Sequence, residues 1–148
     1  MSKTDWSWSP LFADFNQDGY QDLFITNGIK RDIGNNDFRV KAREIGSKKQ
    51  GVELQKILDM IPSRKISNYM YLNTGEFGFD NVTSMWGLDK AVNSNGATYA
   101  DLDNDGDLDL VTNNMEDIAS IYKNNSNGNF VKLVLEGPVN NFNGIGAQ

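Results

Sequence analysis

The stretch Asp101–Asp109 places five carboxylates within nine residues of this 148-residue chain. It reads Asp-Leu-Asp-Asn-Asp-Gly-Asp-Leu-Asp, so the acids alternate with other residues and Gly106 stands at position six. Like charges a few ångströms apart repel by about 1 kcal/mol per pair even in water, so a cation is needed to hold such a stretch together. Alternating oxygen ligands with a glycine turn are typical of a calcium loop. We therefore predict a Ca²⁺ site here, with Asp107 offering its backbone carbonyl.

The same pattern occurs earlier in the chain, at Asp14–Asp22, which reads Asp-Phe-Asn-Gln-Asp-Gly-Tyr-Gln-Asp. Asn16 replaces one carboxylate there, and Tyr20 stands at the carbonyl position. The chain has no Cys and no His, so soft or imidazole ligation is excluded and the oxygen donors favour Ca²⁺. Mg²⁺ remains an alternative, although it prefers fewer protein ligands. A further alternative is a pair of acidic, glycine-turned hairpins that bind no metal.

An EF-hand begins in a similar way, but it requires a glutamate at position twelve and a helix on each side. Position twelve is Ile25 in the first loop and Thr112 in the second. β-branched and aromatic residues flank both loops, which favours strands. The sequence therefore predicts acidic loops between strands and excludes an EF-hand.

The overall composition limits the class of protein. A net charge of -6 argues against nucleic acid as a partner. No run of about 18 apolar residues is present, and the first residues lack the apolar core of a signal peptide, so we expect no membrane insertion. The segment from Lys30 to Lys65 differs, because it carries ten of the fourteen Lys and Arg and five of the twenty acids. Its basic side chains are either simply solvated or attract an acidic partner or anionic glycan.

Internal repetition accounts for most of the remaining chain. The first loop maps onto the second at an offset of 87 residues, as with Asp14 on Asp101, whereas later positions match at an offset of 51, as with Asn73 on Asn124. The repeat is thus about 51 residues long, and its first copy carries an insertion of about 36. Four strands are expected in each copy, at 8–14, 20–26, 68–73 and 79–83 and at 97–102, 108–113, 119–124 and 130–135. Four short strands per repeat suggest propeller blades.

The insertion and the tryptophans add two further expectations. Helical composition at 36–45 and 50–61 predicts a helical hairpin, ended by Gly46 and Pro62 respectively. Trp6 and Trp8, with Trp86, suit either a sugar-stacking platform or core packing. We favour core packing because Trp8, Phe12 and Phe15 lie next to the first loop, where the blades must meet.

With these residues assembled, the chain resembles the FG-GAP or VCBS repeat family, whose blades also form the integrin α-subunit propeller. The motifs that carry the resemblance are residues 12–23, 68–75, 79–83, 86–88 and 99–110, and the tail at 131–147 looks like the opening of an ASPIC/UnbV domain. The resemblance implies Ca²⁺ at two sites. Their ligands would be Asp14, Asn16, Asp18, Tyr20 and Asp22, and then Asp101, Asp103, Asp105, Asp107 and Asp109.

The predicted fold is therefore all-β with a helical insertion. The resemblance implies two four-stranded β-propeller-type blades from a larger propeller, and the helical insertion departs from the general pattern of such blades. The first blade would span 1–88 with its insertion at about 29–66, the second 89–136, and 137–148 would begin a truncated ASPIC/UnbV-like segment. It further implies an extracellular, cell-surface or periplasmic setting and a role in adhesion or in binding a protein or glycan. Because two blades leave apolar faces and strand edges open, self-association is expected.

Two other functional classes remain open at this stage. One is a purely architectural segment of a surface assembly. The other is part of a glycan-processing enzyme, for which the acids outside the loops would be the candidates: Glu53, Glu76, Glu116, Asp117 and Glu136. These five form no catalytic motif, and the chain has no His, Cys or nucleophile elbow, so we expect no catalysis.

Overall fold

The computed structural model describes residues 4–48 and 54–146, and these residues are mostly β-structure with two short helices. All of the strand pairs are antiparallel. The elements are β1 Ser7–Ala13, β2 Asp22–Asn27, α1 Asn36–Lys48, α2 Leu54–Asp59, β3 Ile66–Ser67, β4 Tyr69–Asn73, β5 Phe79–Asn81, β6 Ala91–Val92, β7 Ser94–Ala100, β8 Asp109–Asn114 and β9 Ser120–Tyr122.

The first repeat forms a four-stranded sheet in the order β1-β2-β4-β5, as the sequence predicts. The second repeat forms the sheet β7-β8-β9. Pairing register agrees between them. Phe12 pairs with Leu23, which pairs with Tyr71, and the positions at offsets of 87, 87 and 51 pair in the same way, namely Tyr99, Leu110 and Tyr122. The repeat inferred from sequence is therefore a repeat of strand register.

The expected fourth strand of the second repeat is wrong, since residues 130–135 form no strand in the structure. Phe130 instead lies against Gly106, where it covers the turn of the second acidic loop. The segment has the composition of a strand, but no neighbouring backbone pairs with it. The second sheet accordingly has three strands, and the described residues form no closed propeller.

The insertion contains two helices with bounds that differ from the expected ones. Asn35 caps the first helix, because its side-chain oxygen accepts a hydrogen bond from the backbone N–H of Phe38 at 3.1 Å. That helix runs through Gly46 to Lys48, so Gly46 does not end it. A glycine inside a helix costs only about 1 kcal/mol relative to alanine, which neighbouring turns can offset. The expected start of the second helix, at 50–53, lies outside the described residues.

A short two-stranded sheet, β3-β6, joins the end of the insertion to the start of the second repeat. No pattern in the amino-acid sequence predicts this sheet. Ile66 pairs with Val92, which is fully buried, so the pairing holds the second repeat against the base of the insertion.

The helices of the described residues were also compared with the length and hydropathy of a transmembrane helix, and none of them reaches both.

One apolar core is shared by the two repeats. It contains Phe15, Phe24, Met70, Val82 and Leu88 from the first repeat and its connection, together with Leu110 from the second. Because the apolar sides of both sheets contribute to the same cluster, the two repeats stabilise each other by burying surface that either would expose alone.

A chain of buried polar side chains runs beside this core and links the sheets. The Asn68 amide donates to the Ser94 hydroxyl at 3.0 Å, and that hydroxyl donates to Asn114 at 2.7 Å. Asn68 also accepts from the backbone N–H of Asn27 at 2.9 Å. Buried polar groups without partners are costly, so a chain of satisfied bonds fixes how the sheets sit relative to each other.

Candidate metal centre

The two acidic loops have the same backbone conformation. Gln17 and Asn104 at position four have φ angles of 58° and 62°, and Gly19 and Gly106 at position six have φ angles of 92° and 96°. Left-handed backbone is unfavourable for residues other than glycine, with Asn the usual exception, so two such positions separated by one residue define a tight turn. The loops are therefore two copies of one structural motif.

The first acid of each loop closes this turn. Asp14 accepts hydrogen bonds from the backbone N–H of Asp18 at 3.0 Å and of Gly19 at 2.8 Å. Asp101 accepts in the same way from the backbone N–H of Gly106, at 3.2 Å. These hydrogen bonds hold the following loop residues around the first carboxylate.

The last acid of each loop has a structural role beside the predicted one. Both oxygens of Asp22 accept backbone hydrogen bonds, from Phe15 at 3.1 Å and from Asn73 at 3.0 Å, and the side chain is fully buried. Asp109 accepts from Leu102 at 3.0 Å and from Asn124 at 2.8 Å. Asp22 thus fastens its loop to the end of β4, and Asp109 fastens its loop to the residues that follow β9.

Burial raises the pKa of the Asp22 carboxyl above its ordinary value of 3.8, because the charged form loses hydration. The hydrogen bonds from Asn73 and Phe15 act in the opposite direction, and the nearby Asp18 and Asp14 charges add to the increase. A cation in the loop would offset this cost.

Three of the predicted ligands come together in the second loop. Asp101, Asp103 and Asp105 each place one carboxylate oxygen within 4.8 Å of the others. Among the described residues, Asp109 does not join this group of mutually close oxygens. The structure therefore brings together the first three predicted carboxylates of this loop, and Asp109 lies outside that group.

The prediction assigns Asp107 a role through its backbone carbonyl, and the structure shows contacts of its side chain as well. Its side chain is 3% exposed, and one oxygen accepts a hydrogen bond from the backbone N–H of Ser126 at 3.0 Å. Burial raises the pKa of the Asp107 carboxyl, and the adjacent Asp105 carboxyl raises it further. The other oxygen of Asp107 is buried without a hydrogen-bond partner among the described residues.

The first loop carries less charge. Asn16 stands where the second loop has Asp103, and its side-chain amide donates to Asp18 at 2.8 Å. Tyr20 donates its backbone N–H to Asp18 at 2.8 Å, and its half-exposed ring lies against Gly75 in the β4–β5 turn. Four of the five predicted ligands of this loop thus share one hydrogen-bonded network, and Asp22 is not part of it. The network contains two carboxylates, Asp14 and Asp18, where the second loop has a group of three.

The second loop suits a hard divalent cation on the chemistry of its donors. All the groups that converge are oxygens, which Ca²⁺ prefers. In addition, one oxygen of Asp101 and one of Asp107 are buried and lack a hydrogen-bond partner within the described part of the chain. Buried carboxylate oxygens without partners are unfavourable, so an ion that contacts them would relieve that cost.

Lys123 is the main residue that the sequence analysis missed. Its ammonium group forms ion pairs with Asp103 and, at 3.3 Å, with Asp105. These hydrogen bonds raise the pKa of Lys123 above its ordinary value of 10.5, with the bond to Asp103 contributing most. The Asp105 pKa is lowered, first by the backbone N–H of Asp107 and then by Lys123. No sequence signal marks Lys123, because it lies 18 residues after the last of these acids.

The acids considered for catalysis lie apart from the loops. Glu116 pairs with Lys30, and Asp117 pairs with Lys65 at 3.6 Å. Lys30 lowers the pKa of Glu116, whereas the backbone N–H of Ile118 and the charge of Lys90 lower the pKa of Asp117. Glu76 and Glu136 are exposed, and Glu53 lies outside the described residues.

Trp6 and Trp8 are not in the core, contrary to the expectation. Their side chains are 43% and 48% exposed, and the two rings stack with centroids 6.2 Å apart. The Trp8 indole N–H donates to the carbonyl of Gly28 at 2.7 Å, which fixes that ring. Burial of a strand face depends on what packs against it, so the sequence alone favoured the wrong alternative.

Comparisons of the chain with protein-family models, with curated proteins and with solved structures found no match. The FG-GAP or VCBS resemblance therefore stays a prediction.

Proposed function

We propose that this chain is a calcium-binding, non-catalytic segment of a β-propeller from an exported or cell-surface protein. The observation that carries the proposal is the recurrence of one loop geometry in both repeats, with matching left-handed positions and matching hydrogen bonds from backbone N–H groups to the first and last acids. Acidic surface decoration would not require the same hydrogen bonds twice.

The ions would serve folding. Extracellular calcium modules bind with dissociation constants of about 10⁻⁴ to 10⁻³ M, so millimolar Ca²⁺ adds roughly 1–2 kcal/mol of stability per site. In the second loop, Asp101, Asp103 and Asp105 are the residues that would hold the ion, and Asp14, Asn16 and Asp18 are their counterparts in the first. The non-catalytic assignment is supported by the engagement of the buried loop acids in backbone hydrogen bonds.

Thermal unfolding in calcium and in chelator tests this proposal. We expect millimolar Ca²⁺ to raise Tm by about 3–8 °C per site, from the stabilisation given above, and Mg²⁺ to raise it less. Asp101→Asn should remove the part of the shift that belongs to the second loop. Asp80→Asn is the matched control, because Asp80 is an exposed acid on β5 outside both loops. Equal melting of the wild type in Ca²⁺ and in chelator would contradict the proposal.

A recognition role, in adhesion or in binding a glycan or protein, is favoured over a purely architectural one by the exposed Trp6–Trp8 pair. Large exposed aromatic surface often marks an interaction site. Sugar rings stack on aromatic faces, so binding to a glycan panel should weaken in Trp6→Ala and persist in Trp86→Phe, since Trp86 packs against the core. Hydrolysis of a panel glycan that a Glu76, Glu116 or Asp117 variant abolishes would favour the enzyme alternative instead.

A further inference from the structure

Lys123 is joined to the second acidic loop and has no counterpart in the first. Its ammonium group contacts Asp103 and Asp105, which are two of the three carboxylates whose oxygens converge. At the offset of 51 residues that relates the later halves of the repeats, Lys123 corresponds to Leu72, a partly buried side chain packed on the core. The first loop therefore lacks a lysine at this position.

We propose that Lys123 is a built-in counter-ion that competes with Ca²⁺ for Asp103 and Asp105, and so lowers the calcium affinity of the second loop selectively. The inference rests on the proposed calcium function, because competition requires a bound cation to compete with. A metal ion placed among these oxygens must displace the ammonium group or accept its repulsion at close range. Either way the second loop binds Ca²⁺ less tightly than its three carboxylates would allow.

The position of Lys123 makes such exchange possible without unfolding. The Lys123 side chain is 56% exposed. Lys123 directly follows β9, and the residues of β9 pair with β8. The backbone is held because Asn124 donates its N–H to Asp109 at 2.8 Å. The flexible four-carbon stem can therefore swing the ammonium group into solvent while the strand and loop stay in place.

Lys132 supplies a matched control. Its ammonium group also reaches the second loop, but it contacts the neutral side chain of Asn104 at 3.4 Å. Lys123→Met and Lys132→Met thus each remove one positive charge that contacts the second loop. Only Lys123→Met removes direct ion pairs with the converging carboxylates. Lys123→Arg keeps the charge and should keep the competition.

The test is a calcium titration of the 148-residue chain followed by NMR, with Ca²⁺ itself as the probe. The backbone N–H groups of Gly19 and Gly106 donate to Asp14 and Asp101, so each amide resonance reports on its own loop. We expect Lys123→Met to lower the calcium midpoint at Gly106 by about three- to tenfold, from the usual strength of exposed charge pairs. The midpoint at Gly19 should not change, and Lys132→Met should move neither midpoint by more than about twofold.

Thermal unfolding gives a second readout that separates competition from a purely structural role. In chelator, Lys123→Met should melt below the wild type because the carboxylates lose their counter-ion. In saturating Ca²⁺, that difference should vanish or reverse. A lysine that only stabilises the fold would lower Tm by the same amount in both conditions.

The outcomes distinguish this inference from the proposed function. If calcium shifts both glycine resonances in the wild type but Lys123→Met leaves the Gly106 midpoint unchanged, or if Lys132→Met has the same effect, the competition is disproved and calcium binding stands. If neither resonance responds in the wild type or in Lys123→Met, both proposals fail. If Gly106 responds only in Lys123→Met, the lysine excludes the ion completely, which supports the inference in its strongest form.

Discussion

The side-chain amide of Gln17 donates a hydrogen bond to the backbone carbonyl of Gly106 at 2.8 Å, so the turn of the first acidic loop is bonded to the turn of the second. The other end of the same side chain accepts from the Ser126 hydroxyl at 3.0 Å. In addition, the Asn124 amide donates to the carbonyl of Phe15 at 2.6 Å. The two candidate metal sites therefore share a hydrogen-bonded boundary.

Gln17→Ala should weaken this boundary. The substitution removes both hydrogen bonds of the side chain, each contributing about 0.5–1.5 kcal/mol, so we expect a loss of about 1–2 kcal/mol in the free energy of unfolding. Urea unfolding measures the change. Gln21→Ala is the control, since Gln21 is exposed just before β2 and should change stability by less than about 0.5 kcal/mol. Equal losses in the two variants would show that the loops do not stabilise each other through Gln17.

Two aspartates should make the stability of the fold depend on pH in opposite directions. Asp22 is buried, whereas Asp117 forms an ion pair. In chelator, the pKa of Asp22 lies above 3.8, chiefly through burial, so the folded state holds this proton more tightly than the unfolded state. Its contribution to stability is therefore full below about 3.8 and is lost as pH rises through the folded pKa. Asp117 has a lowered pKa, so its contribution is present above 3.8 and is lost as pH falls through its folded pKa.

Carboxyl ¹³C NMR in chelator measures both titrations in one sample. The midpoint of Asp22 should lie above 3.8 and that of Asp117 below it. Asp117→Asn should reduce the loss of unfolding free energy that occurs as pH falls below 3.8. The same substitution should leave the titration midpoint of Asp22 unchanged. An Asp22 midpoint below 3.8 would mean that its two backbone hydrogen bonds outweigh the cost of burial.

The sequence predicts the repeats well because their information is local. The alternation of acidic residues, the turn glycines and the spacing of Asp14 and Asp22 are all features of single loops or hairpins. The first sheet forms with the expected four strands. The sequence also shows that Asn73 and Asn124 occur at an offset of 51. It does not show that their backbone N–H groups bind Asp22 and Asp109, since that contact requires the third strand to lie beside the loop.

The failures share a cause, which is dependence on distant neighbours. The segment 130–135 has a strand-like composition, yet strand formation needs a partner edge, and Phe130 packs on the loop turn instead. Trp6 and Trp8 look like core residues, yet no part of the described chain covers their faces fully. Lys123 enters the candidate site only because the end of β9 lies against the loop.

The exposed apolar side chains of residues 130–135 lead to a prediction about association. Val131, Leu133 and Val134 are each about 80% exposed, and the outer edge of β9 pairs with no strand of the described chain. Open strand edges and apolar segments favour pairing with another copy. Light scattering after size-exclusion chromatography should show mass that rises with concentration over a micromolar range, and Leu133→Asp should reduce it. Ile33→Asp is a control for a similar apolar-to-acid change at an exposed position outside the segment and outside both acidic loops. A monomer at every concentration would contradict the prediction.

Substitution of three glycines by alanine should separate two sources of strain in the acidic loops. Gly96 lies in β7 with an ordinary φ angle and open space around an added methyl group, so Gly96→Ala should change stability by less than about 0.5 kcal/mol. Gly19 has a φ of +92° and open space, so Gly19→Ala should cost about 1–2 kcal/mol from backbone conformation alone. Gly106 has a φ of +96° and lies against the Phe130 ring, so Gly106→Ala should cost more than Gly19→Ala.

The additional cost at Gly106 can be assigned to Phe130 by a double-mutant cycle. In a Phe130→Ala background the contact is absent, so Gly106→Ala should then cost about as much as Gly19→Ala. Urea unfolding in chelator keeps metal binding out of the comparison. If Gly106→Ala costs the same with and without the Phe130 ring, the ring does not rest on the loop turn. In that case residues 130–135 would be free to form the fourth strand that their sequence predicts.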